Sequence, residues 1–257
     1  MEKRKDKRNR KGQVTIFIII AIVIFAVVLA LFYPRIRVYF TPAEPMNVVE
    51  ECIKGDIDKV IDRIALQGGS LNPKLYFAYQ GNNLEYLCYT NEYYRPCIMQ
   101  RPLLKQHIER EIQTYIESRA RSCIATMKDE MEKRGYRVVS NYQGTDVQLV
   151  PGSINVIINA RVTVTKEGTQ TFNKFEIKQS SNMYDMVMIA SSITNHEVEF
   201  GNIETMVYMT YYPNIILEKL KQGDGTTVYI ITDTITNEKF MFASRSVAFP
   251  GGYKLRL

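Results

Sequence analysis

Two histidines and four cysteines are the side chains of this sequence best suited to acid–base, nucleophilic or metal chemistry. The cysteines, Cys52, Cys88, Cys97 and Cys123, contain no Cys-x-x-Cys pair, and His107 and His196 are isolated from them in sequence, so a zinc site has little support. There is no Gly-x-Ser-x-Gly elbow, His-Glu-x-x-His, Walker loop or Gly-x-Gly-x-x-Gly. A histidine base would have to be His107, on a charged helix, or His196, at a helix end before Glu197; both positions suit surface or capping roles. Glu109/Glu111 and Glu130/Glu132 are spaced by two on a predicted helix, which turns each pair to different faces and denies a close acid–base dyad. Gly223-Asp224-Gly225 lacks the alternating acidic ligands of a calcium loop and reads as the turn that caps a short helix. The expectation is a non-enzyme with no catalytic residue, no cofactor and no metal.

The cysteines make better staples than ligands. Cys88 and Cys97 flank Tyr93-Tyr94-Arg95-Pro96, where a local bridge would pin a hairpin. Cys52 and Cys123 fall on or beside the apolar faces of two long predicted helices, and a bridge between them would join those helices. Four reduced, buried thiols are the alternative. Tyrosine is also concentrated: Tyr76, Tyr79, Tyr86, Tyr89, Tyr93 and Tyr94 fall within twenty residues and, if exposed together, would make an interaction surface. Packing of some of them between strands and helices is the plainer alternative.

The elements that must position these residues follow from periodicity. Asn47 can cap a helix in which Val49, Ile53, Ile57, Val60, Ile61 and Ile64 recur at three- and four-residue spacing, with Gly68-Gly69 ending it. Residues 75–94 read as two short strands around Gly81-Asn82-Asn83. A second long helix is predicted from Pro102 to Lys133, with Leu104, Ile108, Ile112, Tyr115, Ile116, Cys123, Met127 and Met131 as its apolar stripe. Strands follow at 137–140, 147–150, 154–164 and 172–178, then a helix at 183–195, a short helix at 214–221, and strands at 227–232 and 239–244. The fold class is α+β, two long helices packed on antiparallel strands. At 257 residues, one domain with appendages is expected.

The net charge of +6 belongs to one of those appendages. Residues 1–12 hold seven Lys/Arg against Glu2 and Asp6, which leaves the rest of the chain nearly neutral and argues against nucleic acid as a partner. From Val14 to Tyr33 no residue is charged, and twenty helical residues would reach about 30 Å, the thickness of a hydrocarbon core. The expected plan is a basic cytoplasmic leader (1–12), a transmembrane helix (13–34), a Pro-rich spacer (35–46) and an extracellular α+β domain (47–257). The excess of basic residues before the helix would hold the N-terminus in the cytoplasm of a single-pass membrane protein. A removable secretory signal fits less well, because the run is long and ends in Phe32-Tyr33-Pro34.

Lys11-Gly12-Gln13-Val14-Thr15-Ile16-Phe17 places a Lys-Gly pair where the basic tail meets the apolar run. This resembles the class III signal peptide of archaeal type IV pilin-like proteins, a likeness confined to residues 11–34. The resemblance implies cleavage between Gly12 and Gln13 by a prepilin-type peptidase and self-assembly through the retained apolar helix, as a subunit or minor component of a cell-surface filament. The sequence departs from many pilins in carrying Phe17 where they have a glutamate. An uncleaved anchor bearing an extracellular binding domain is the alternative.

Overall fold

The computed structural model describes residues 18–28 and 44–250. They belong to two compact units, Met1–Glu44 and Pro45–Leu257. In the first, residues 18–28 are helical (α1), and every one of them is exposed. Among the described residues no helix is long and apolar enough to cross a membrane. The expected transmembrane helix over 13–34 is corrected accordingly, and with it the single-pass, cell-surface placement with a cytoplasmic N-terminus and an extracellular domain. The leader 1–12, Gly12, Gln13 and the spacer residues 35–43 lie outside the described residues.

The second unit begins on Pro45, earlier than predicted. Proline suits the first turn of a helix because its φ is already helical and its missing N–H is not needed there, so α2 runs Pro45–Ala65 and Asn47 lies inside it rather than at its cap. Its stripe of Val49, Ile53, Ile57, Val60, Ile61 and Ile64 is buried. Helix α3 (Leu104–Lys133) lays Ile108, Ile112, Ile116, Ala120, Cys123, Ile124 and Met127 along one buried face, and Tyr115 falls outside that face. The two helices pack together and are joined by the Cys52–Cys123 disulfide.

Between them come β1 (Tyr76–Tyr79), β2 (Asn82–Tyr89) and the two-residue β3 (Ile98–Met99). After α3, β4 (Arg137–Val150), β5 (Ser153–Thr165) and β6 (Thr169–Ser180) form an antiparallel meander in the order β4-β5-β6. The strands predicted at 137–140 and 147–150 are one strand with an irregularity at Tyr142/Gly144. Alternation along β5 turns Ile154, Val156, Ile158, Ala160, Val162 and Val164 inward, and α3 covers β4.

Helix α4 (Met183–Phe200) and the unpredicted α5 (Thr205–Tyr211) lead to β7 (Ile215–Lys221), β8 (Thr227–Asp233) and β9 (Lys239–Arg245). The short helix expected at 214–221 is therefore a strand. Its Leu, Glu and Lys favour a helix weakly, whereas antiparallel pairing of Ile215–Lys221 with Thr227–Asp233 satisfies the backbone and buries Ile215 and Leu217. Gly223-Asp224-Gly225 is consequently a hairpin turn, not a helix cap. The Asp224 carboxylate holds it by accepting from the Thr226 backbone N–H and hydroxyl, each at 2.9 Å.

The second sheet has the order β1-β2-β9-β8-β7, with β3 also pairing to β2. It departs from the antiparallel expectation at its centre, where β2 and β9 run parallel. Strands β8 and β9 are buried almost throughout, as central strands covered on both faces must be. Helix α4 touches strands of both sheets, so its apolar residues Met186, Val187, Ile189, Ala190 and Ile193 tie the two layers into one core.

Candidate functional site

A serine, a histidine and a glutamate that sequence reasoning left apart meet behind the end of α2. Ser70 Oγ lies 2.5 Å from Glu85 Oε2 and 2.6 Å from His107 Nε2, and the Arg101 guanidinium donates to Glu85 Oε1 from Nε at 2.9 Å. The approach depends on Gly68 (φ 73°), where a Cβ would stand 2.9 Å from the Cβ of Glu85. The proton count decides what this cluster does. A carboxylate only accepts, so the single Ser70 proton goes to Glu85, and His107 Nε2 must donate to Ser70 Oγ. A nitrogen that already carries a proton cannot take the one from serine, and Ser70 is buried. Burial, with the nearby Arg101 charge, holds the His107 imidazole below its ordinary pKa, which keeps it neutral at pH 7. The arrangement clamps the loop after α2 to β2 and α3 and does not activate a nucleophile.

Glu109 and Glu111 hold separate partners. Glu109 pairs with Lys105 and accepts from the Leu149 N–H at 2.8 Å, while Glu111 accepts from the Leu71 N–H at 2.8 Å. Among the described residues no group of three or more His, Cys, Asp or Glu could hold a metal ion.

A second polar cluster sits where α4 meets the mixed sheet. Glu197 accepts from the Tyr229 hydroxyl and, at 3.4 Å, from Ser244 Oγ. Burial raises the Glu197 carboxyl above its ordinary range, opposed in part by the Tyr229 hydrogen bond and by Lys219, and burial beside that carboxylate raises the Tyr229 phenol too. The Cys88–Cys97 disulfide adjoins it, with Cys97 Sγ 3.9 Å from Ser244 Oγ.

No single surface holds all six tyrosines of 76–94. Tyr86 is buried, with Tyr79 and Tyr89 packed around its cluster and the Tyr86 and Tyr89 rings 4.9 Å apart. Tyr76, Tyr93 and Tyr94 are exposed; Tyr93 lies under the Arg245 guanidinium and Tyr94 against Phe249.

The aromatic surface that the fold does assemble was not anticipated. Ser192, His196 and Phe200 recur at four-residue intervals along α4 and line, with Val207, Tyr208 and Tyr211 of α5, a groove of about 620 Å³ to which Asn202, Ile203 and Glu204 also contribute. Phe200 is 64% exposed and Tyr211 78%. The signal available in the sequence was Tyr208-Met209-Thr210-Tyr211-Tyr212, whose aromatic density passes that of an ordinary loop. Apolar side chains are also exposed along α1, where Ile18, Ile20, Ile22, Ile24, Phe25 and Val28 are all between 43% and 65% exposed. The chain matches no protein-family model, no curated protein and no solved structure.

Proposed function

We propose that this chain is a pilin-like structural subunit rather than an enzyme, in which the apolar helix α1 packs against the same helix of neighbouring copies and the α+β unit is what the resulting filament displays. The observation that carries this reading is α1 itself. A helix that is apolar on every face has no polar side to give to water and is stable only when other apolar surface surrounds it. Identical helices supply that surface at each step of a repeating assembly. The resemblance of Lys11–Phe17 to a class III signal peptide supports the same reading, with a prepilin-type peptidase freeing Gln13 before assembly. The two disulfides suit a subunit that must keep its shape under load.

The test is assembly of the full-length chain expressed in a host with a prepilin-type peptidase. Wild type is expected to begin at Gln13 by N-terminal mass spectrometry and to sediment as filaments. Ile20→Glu combined with Ile24→Glu should leave a monomer whose circular dichroism and thermal midpoint match wild type. A charged α1 that still assembles would overturn the proposal, as would a wild-type chain that stays monomeric.

A further inference from the structure

We propose that the groove between α4 and α5 is a binding site for a small organic ammonium ion, held against aromatic faces and the Glu204 carboxylate. The groove has the volume of a small-molecule site and the usual lining of one, mostly aromatic and apolar with a few polar groups. The charged side chain in its lining is acidic. Glu204 is the only Asp, Glu, Lys or Arg among the lining residues, and it makes no ion pair among the described residues. Lys219 is not among the lining residues; it feels the Glu204 charge, and its ammonium donates to Asn202 Oδ1 and to the Ile203 carbonyl at 2.9 Å. The lining itself offers an anion no Lys or Arg.

The rings select a cation further. His196 and Tyr208 stand with centroids 6.3 Å apart and planes at 78°, while Phe200 lies 5.8 Å from His196, so three rings make a corner rather than a flat stack. Tyr211 and Tyr212 line the same groove with exposed rings. The negative faces of such rings attract an alkylammonium within about 6 Å of a centroid. His196 adds an acceptor: its Nδ1 donates to the Ser192 carbonyl at 3.0 Å, so in the neutral ring Nε2 is left to accept. Ammonium attraction and apolar fit are therefore both available, and a pair of probes with one shape and different charge separates them.

Choline and 3,3-dimethyl-1-butanol are such a pair. Saturation-transfer NMR on their methyl signals, with the full chain as receptor, is expected to show choline binding about tenfold more tightly than the alcohol. Tyr211→Leu keeps the apolar bulk at a largely exposed position and should weaken choline several-fold without changing the alcohol. Glu204→Gln should also weaken choline selectively. Equal binding of the two probes would overturn the ammonium assignment, and choline binding unchanged in Tyr211→Leu would overturn its location. Binding of neither probe would overturn the site. None of these readings depends on whether α1 assembles.

Discussion

Glu85 and Glu197 are each only 3% exposed, yet the fold satisfies them in different ways. Glu85 meets a full charge, the Arg101 guanidinium, together with Ser70. Glu197 meets the neutral hydroxyls of Tyr229 and Ser244 and makes no ion pair among the described residues. The fold also carries two disulfides. Cys52–Cys123 joins α2, whose following loop carries Ser70, to α3, which carries His107; Cys88–Cys97 adjoins the Ser244 that serves Glu197. Removing the cation from a pair such as Arg101–Glu85 leaves a buried charge without its partner, which is expensive. A buried carboxylate near hydroxyls gives up part of its acidity instead.

The largest effect that can test this contrast lies in the two disulfides. Their loops differ, with 71 residues of sequence separation against 9. Loop entropy assigns about 4 kcal/mol to the first and about 2.5 kcal/mol to the second. Paired Ser substitutions, Cys52→Ser with Cys123→Ser and Cys88→Ser with Cys97→Ser, should rank in that order by urea unfolding. An inverted order would mean that the short loop at Glu197 is the more strained or the more structurally committed region.

Next is the charge partner. Arg101→Leu leaves Glu85 buried beside Ser70 and a neutral His107, at a cost of about 3 kcal/mol. Adding Glu85→Leu should recover much of that loss, because an apolar pair does not carry an unpaired charge. A double variant no better than the single one would show that Glu85 serves mainly as the acceptor for Ser70.

Tyr229→Phe removes the principal donor to Glu197 and is expected to cost about 2 kcal/mol by thermal denaturation. The Glu197→Gln variant should cost less, because a neutral amide needs no charge compensation in that place.

The smallest and most diagnostic effect is on pH dependence. The raised Glu197 carboxyl binds its proton in the folded state at a pH where the unfolded chain has released it. Its stabilising contribution is therefore fully present below the unfolded carboxylate pKa and is lost as pH rises through the folded value. His107 has the opposite sign. Its lowered pKa means the unfolded chain takes up a proton first, so its contribution is present above the unfolded imidazole value and is lost as pH falls through the folded one. Stability measured from pH 4 to 8 should lose the first slope in Glu197→Gln and the second in His107→Gln. A Glu197→Gln profile that parallels wild type throughout would remove the distinction between the two glutamates.

What could be read from the sequence is what depends on near neighbours. The stripes of α2 and α3 show in three- and four-residue spacing, and those same stripes are what put Cys52 opposite Cys123. The β4–β6 meander shows in alternation and turn residues, since each strand pairs with the next along the chain. Tertiary structure decided the rest. Ile215–Lys221 is a strand because β8 offers it a backbone ladder, which outweighs the weak helical preference of its residues. The parallel pairing of β2 with β9 joins segments from opposite ends of the α+β unit, and no local pattern announces such a partner. The same holds for the sites. Ser70, Glu85, Arg101 and His107 are separately unremarkable, as are Glu197, Tyr229 and Ser244, and each set becomes a cluster only because strands and helices distant in sequence pack together. The α4–α5 groove likewise exists because Glu204 and the rings of two short stretches come together about a turn at Gly201, whose positive φ of 71° lets the chain double back. Side-chain spacing specifies which face an element buries; which other element lies against that face is settled only when the whole core is packed.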